Sequence, residues 1–233
     1  MEFAVKYLDH SGFTVEADDY FFMFDYYKGD LPVESIKKAK YPFVFVSHSH
    51  KDHFNKNIFS LREYNENITF IISKDVEVNE EVAYVLPNQK FLKRDITIET
   101  FASTDEGVCF LITYKKIKIF HAGDLNLWSW RADSEDYEIV NAEKDFYKIV
   151  NSILRSVQKI DIAFFPVDPR MKKNYEEGAV KFIEAFNVTH FFPMHMWGKY
   201  KAADILDKYN FKNTIIYKIN DKNKEFKILT GET

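Results

Sequence analysis

The chain of 233 residues contains one cysteine, Cys109, so it can form no internal disulfide. The apolar flanks Val108, Phe110 and Leu111 mark that thiol as a small core residue rather than a nucleophile. Glycine and proline number only seven and six and nowhere gather into a linker, which predicts one domain over residues 1–233. Low-complexity segments and short repeats are likewise missing. No apolar run approaches the roughly 20 residues of a membrane-spanning helix. The opening Met1-Glu2-Phe3-Ala4-Val5-Lys6 lacks the basic and apolar regions of an export signal. A cytoplasmic protein without a membrane partner is expected. Positive charge is not in excess: 32 basic against 36 acidic residues leave a net charge of −4, and no basic field draws the chain to nucleic acid. There is no glycine-rich phosphate cradle and no Gly-x-Ser-x-Gly elbow, so those nucleophile chemistries have no equipment here.

What the chain does have is apolar and aromatic substance, 46% and 17% of its residues, enough for a well-filled interior. Strand-like runs fill the first half: 3–8, 14–16, 20–25, 43–46, 68–72, 96–101, 108–114 and 116–121. Tyr114-Lys115-Lys116 reads as a hairpin turn. A helix is expected within 52–64. Apolar residues from Ile139 to Val157 recur at three- and four-residue steps, the pattern of an amphipathic helix. Strands at 160–165, 188–192 and 214–217 then alternate with helices at 175–186 and 202–209. This periodicity supports a mixed α and β fold.

One segment concentrates the chemistry. Ser47-His48-Ser49-His50-Lys51-Asp52-His53 follows the apolar run Tyr41 to Val46 and holds three of the seven histidines. A buried strand ending in such a turn presents imidazole nitrogens and a carboxylate from one edge, donors suited to Zn²⁺ and related ions.

The pattern His-x-His-x-Asp-His resembles the signature of the metallo-β-lactamase-fold hydrolases. Asp9-His10-Ser11-Gly12-Phe13 and Phe24-Asp25 resemble the opening of the branch that includes ascorbate-phosphate lactonases. Phe120-His121-Ala122-Gly123-Asp124 is similar to the segment carrying the bridging aspartate, and Phe192-Pro193-Met194-His195 to the strand end carrying the last metal histidine. The resemblance spans about residues 3 to 197. It implies an α+β fold, an αββα sandwich of two mixed sheets packed face to face with helices outside. It also implies two divalent ions: His48 and His50 on the first, Asp52, His53 and His195 on the second, and Asp124 bridging. A metal-bound hydroxide would attack an ester, lactone or phosphoester bond of a small metabolite, with Asp52 and Asp124 as catalytic groups. Export is needed by secreted β-lactamases, so antibiotic hydrolysis is not the expected task.

One expected ligand is missing. Relatives supply a third histidine to the first metal, yet no histidine lies between His53 and His121. In the corresponding stretch, Thr100 to Gly107, Asp105 or Glu106 replaces it, Ser103 holds a ligand water, or only one metal is bound. Asp105 is preferred, and an oxygen ligand shifts preference from Zn²⁺ toward Mn²⁺ or Fe²⁺. His10 is expected near the metals as a substrate or supporting contact, and Asp25 as the carboxylate orienting a ligand histidine. Asp168 and Trp128 are candidates for the substrate pocket, with plain turn and core roles as alternatives. His121 is expected to support the Asp124 loop, and His190 to be structural. The competing functions are a nucleic-acid phosphodiesterase of the same fold, disfavoured by the acidic charge, and a metal- or ligand-binding protein without turnover. The sequence leaves the substrate and the oligomeric state open.

Overall fold

A computed structural model describes residues 1–230. The chain forms two compact units, one of residues 1–86 with the described residues from Asp221 onward, the other of Pro87–Asn220. Each is built on a mixed seven-stranded sheet, as the α+β expectation requires.

In the first unit the strands are β1 (Glu2–Asp9), β2 (Gly12–Ala17), β3 (Tyr20–Phe24), β4 (Tyr41–Val46), β5 (Thr69–Ser73) and β6 (Ala83–Val85). They pair in sequence order, and a late strand, Glu225–Leu229, closes the β1 edge. β1, β2 and β3 are antiparallel neighbours, whereas β3 to β6 run parallel. Central strands carry buried residues on both faces, hence their nearly unbroken apolar runs. On one face Phe21, Met23, Val44, Val46, Phe70 and Ile72 join a cluster with Ile36 of helix α1 (Val33–Lys38). On the other, Phe22, Phe24, Phe43 and Phe45 form a buried ladder, with Phe24 and Phe45 stacked at 4.9 Å.

The segment expected to be a helix within 52–64 is a 3-10 helix, Lys56–Glu63. Its apolar anchors Ile58 and Leu61 stand three residues apart, which aligns them on one side of a three-residue turn. The same correction applies to the helix expected at 202–209. Tyr200–Lys208 is 3-10, with Ala203 and Leu206 buried at the same spacing.

In the second unit, β7 (Lys90–Lys93), β8 (Ile96–Ala102), β9 (Val108–Tyr114) and β10 (Ile117–His121) are antiparallel. β11 (Ile162–Pro166), β12 (His190–Met194) and β13 (Ile215–Ile216) extend the sheet in parallel from β10. Lys115 and Lys116 make the expected hairpin turn, both at positive φ. Cys109 is fully buried in β9. Helix α2 (Asp136–Leu154) opens with a capping box between Glu135 and Glu138 and buries Phe146, Ile149, Val150 and Ile153. Helix α3 (Glu177–Phe186) packs Phe182 against Phe120 and Phe165 at 5.0 and 4.5 Å. No helix among the described residues is long and apolar enough to cross a membrane.

Gly178 lets α3 touch the loop after β10. A Cβ there would collide with Asn126 Oδ1 and come within 2.9 Å of the Leu127 backbone nitrogen. Helix propensity favours alanine by up to about 1 kcal/mol, but the clash dominates. Gly178→Ala is expected to cost about 1–3 kcal/mol in urea unfolding. A gain in stability would refute this account of the loop.

Candidate metal centre

The chemistry-bearing residues lie beyond the carboxyl ends of strands that point the same way. In the first unit, β1, β3, β4 and β5 run in one direction and deliver His10, Asp25, the Ser47–His53 loop and Asp75 to one sheet edge. In the second, β10, β11 and β12 deliver Asp124, Asp168 and His195 in the same manner. Carboxyl ends of parallel strands are where such sheets place ligands. Sharp exits are needed, and His10, Asp25 and His195 all adopt positive φ (54°, 42° and 64°). Non-glycine residues seldom do so, and these conformations gather at functional sites.

In the first unit the hub is Asp25, which is fully buried. Its Oδ1 accepts the Ser47 backbone N–H at 2.7 Å, and its Oδ2 accepts the Ser47 hydroxyl at 2.5 Å and His53 Nδ1–H at 2.7 Å. Because the Ser47 hydroxyl donates to Asp25, its oxygen accepts from His48 Nδ1–H, 2.9 Å away. One carboxylate therefore fixes two tautomers: both rings carry the proton on Nδ1 and keep the Nε2 lone pair for a ligand. The His48 ring lies 4.1 Å from that of His53 and 4.6 Å from that of His50. His10, Asp52 and His53 offer donor atoms within 4.8 Å of one another, with His10 Nε2 3.1 Å from Asp52 Oδ2. His10 thus stands among potential ligand atoms. Asp75 receives the Ser49 N–H at 2.8 Å and props the loop. Asp75 carries no motif in the sequence, its one signal being its place just after β5.

The second unit repeats the device. His195 Nδ1–H donates to Asp168 Oδ2 at 2.8 Å, and its Nε2 lies 3.3 Å from Asp124 Oδ1. Burial would raise the pKa of Asp168, but hydrogen bonds from His195 and Arg170 bring it down to about 2. The carboxylate is therefore ionised at neutral pH and holds the imidazole. Asp168 is thereby an orienting group for His195. The Asp124 backbone oxygen accepts Trp128 Nε1–H at 2.8 Å. His121 Nδ1 accepts Gly123 N–H at 3.2 Å, so it braces the turn that carries Asp124. His190 is buried with its Nδ1 3.0 Å from the Tyr217 hydroxyl. Asp105 is exposed in the loop after β8, with its N–H directed to Ser103 Oγ at 3.3 Å, and it lines a cleft with Asp124.

These donors fit a divalent metal: neutral imidazole Nε2 atoms, each held through Nδ1 by a carboxylate or a hydroxyl tied to one, beside further carboxylates.

Comparison with known proteins agrees at the level of family and fold. The model of the "Beta-lactamase superfamily domain" matches residues 4–128, more than half of the 233. Igni18, a metallo hydrolase from Ignicoccus hospitalis, superposes with a TM-score of 0.66 at 13% identity, covering 99% of this chain and 100% of its own. YhfI from Bacillus subtilis, a metallo-β-lactamase fold protein, gives 0.62 at 12%, covering 97% and 100%. CmlA from Streptomyces venezuelae, a diiron β-hydroxylase, gives 0.56 at 11%, covering 83% of this chain and 45% of its own. No curated protein matches the sequence.

Proposed function

Because this chain belongs to the metallo-β-lactamase superfamily, we propose that it is a metal-dependent hydrolase acting on an ester, lactone or phosphoester bond of a small metabolite. The observation that carries the reading is the carboxylate hold on ligand tautomers, made twice, by Asp25 and by Asp168. An imidazole held by Nδ1 on a buried carboxylate presents its other nitrogen, the arrangement common behind metal-ligating histidines. The proposed ligands are His48, His50, Asp52, His53, Asp124 and His195, with Asp105 in place of the absent histidine. Two divalent ions, zinc, manganese or iron, would supply an acidified water and a clamp for substrate oxygens. Around them the chain's own groups do the rest. Asp25, directly on His53 and through Ser47 on His48, and Asp168 on His195 hold the rings by Nδ1 and keep each Nε2 aimed. Asp52, half-buried beside His10, is placed to hold a proton during turnover. The resemblance of the opening at His10 and Asp25 to the lactonase-like branch supports a small metabolite as substrate. With a net charge of −4, a nucleic-acid substrate is the weaker choice.

The test is metal content by elemental mass spectrometry on protein purified without chelators, wild type beside Asp105→Ala. Two ions in wild type, falling toward one in the variant, are expected. An equal count of two in both would remove Asp105 from the ligand set. One ion or fewer in both would mean a vacant first site and would put a binding protein ahead of the hydrolase.

A further inference from the structure

The geometry points to an aromatic carboxylate as the group seated in the cleft beside Asp124. Its ring would lie against the indoles of Trp128 and Trp130, and its carboxylate on the outer edge of Arg170. This deepens the hydrolase reading and rests on it only for the bond that is broken.

The cleft lies wholly within the second unit, is about 210 Å³, and is lined by Thr104, Asp105, Asp124, Trp128, Trp130 and Arg170. That is below the roughly 300–1,000 Å³ of a drug-sized ligand site and suits one ring with one small substituent. Of the three tryptophans, Trp128 and Trp130 line the cleft and Trp197 lies against Arg170. Trp128 and Trp197 set their rings edge-on to His195 at 5.8 and 5.7 Å, and Trp130 stacks on Trp128 at 6.1 Å and 17°. Trp130 and Trp197 hold φ of 41° and 53°, a region that bulky side chains rarely adopt and that concentrates at ligand sites. Flat indole surface recognises a flat partner.

Arg170 supplies the polar end. Asp168 takes Nε and Nη2, at 2.9 and 2.6 Å, and the Trp197 ring lies 4.3 Å beneath the guanidinium carbon. The plane is thus fixed from the side and from below, and Nη1 points away from Asp168. A planar fork so held is preorganised for a second carboxylate. Arg170 is the one cation among the lining residues, opposed by Asp105 and Asp124. Under the proposed function the metals take up the charges of Asp105 and Asp124, and Arg170, already paired with Asp168, offers a bound carboxylate its remaining N–H donors.

The test is calorimetric binding of benzoate, benzamide and cyclohexanecarboxylate to the full chain as purified, with metal content measured on the same samples. Benzoate is expected to bind about tenfold more tightly than either analogue. Trp130→Ala should weaken benzoate about three- to tenfold and remove the preference for a flat ring, which Trp130→Phe should restore. Arg170→Gln should remove the preference for carboxylate over amide and leave the ring preference in place. Equal affinities for benzoate and cyclohexanecarboxylate in wild type would overturn the proposal, as would preferences unchanged in both variants. Absence of metal would instead sink the hydrolase reading, so the two failures are separable.

Discussion

Asp25→Ala is expected to lower stability by about 3–5 kcal/mol in chemical denaturation and to abolish metal binding with it. The side chain is fully buried, and its two oxygens satisfy the Ser47 N–H, the Ser47 hydroxyl and His53 Nδ1–H. Alanine strands these donors where water cannot reach them, and each orphaned group carries its desolvation cost. Asp25→Asn separates folding from ligation. The amide oxygen can still accept from Ser47 N–H, but an NH₂ replaces the oxygen that receives two donors. His53 must then move its proton to Nε2, the nitrogen a metal needs, and the Ser47 hydroxyl must turn away from its relay to His48. Metal affinity should drop about 10–100-fold by chelator competition, with a smaller loss of stability. Wild-type affinity in Asp25→Asn would show that the carboxylate does not set the tautomers.

A second large effect is expected at Asp124. Asp124→Ala should reduce turnover of any identified substrate to background and lower bound metal by at least half. The backbone oxygen of Asp124 accepts from Trp128 Nε1–H, a bond that survives alanine, whereas the carboxylate lies 3.3 Å from His195 Nε2. The loss therefore reports on the carboxylate. His190→Ala is the contrast, because His190 bonds to the Tyr217 hydroxyl within the sheet and serves no ligand position. That variant should lose some stability and keep its metal. Full metal loading in Asp124→Ala, with normal activity, would remove Asp124 from the centre.

Most of the fold was legible wherever local pattern and long-range pairing agree. The hairpin at Lys115–Lys116 and strands β4, β8, β9 and β10 follow from periodicity within a residue or two, and the long amphipathic helix α2 within three. Short edge strands were not legible. Ala83–Val85, Lys90–Lys93 and Glu225–Leu229 are short and largely exposed, so only their neighbours make them strands. Helix α1 has a single buried residue, Ile36, too little for a periodic signal. The two 3-10 helices read as α-helices because apolar residues three apart suit either. At the candidate site the candidate donors stand in one dense motif of the sequence, and Asp25 lies against its Ser47 and His53. The Ser47 relay and the Asp75 prop could not be seen, since each depends on which strand lies beside which. Asp168 was anticipated on the substrate side, but parallel pairing of β11 with β12 sets it behind His195.

The late strand Glu225–Leu229 has a consequence for how the chain is made. It pairs with β1, from Glu2↔Leu229 to Lys6↔Glu225. The second unit, continuous from Pro87 to Asn220, leaves the ribosome before that partner exists. At ordinary synthesis rates the outer edge of β1 waits on the order of tens of seconds with its backbone donors and acceptors open. Such an edge is a template for any passing strand. The first unit is therefore begun early and sealed last, and its exposure to mispairing is set by the time taken to translate its companion.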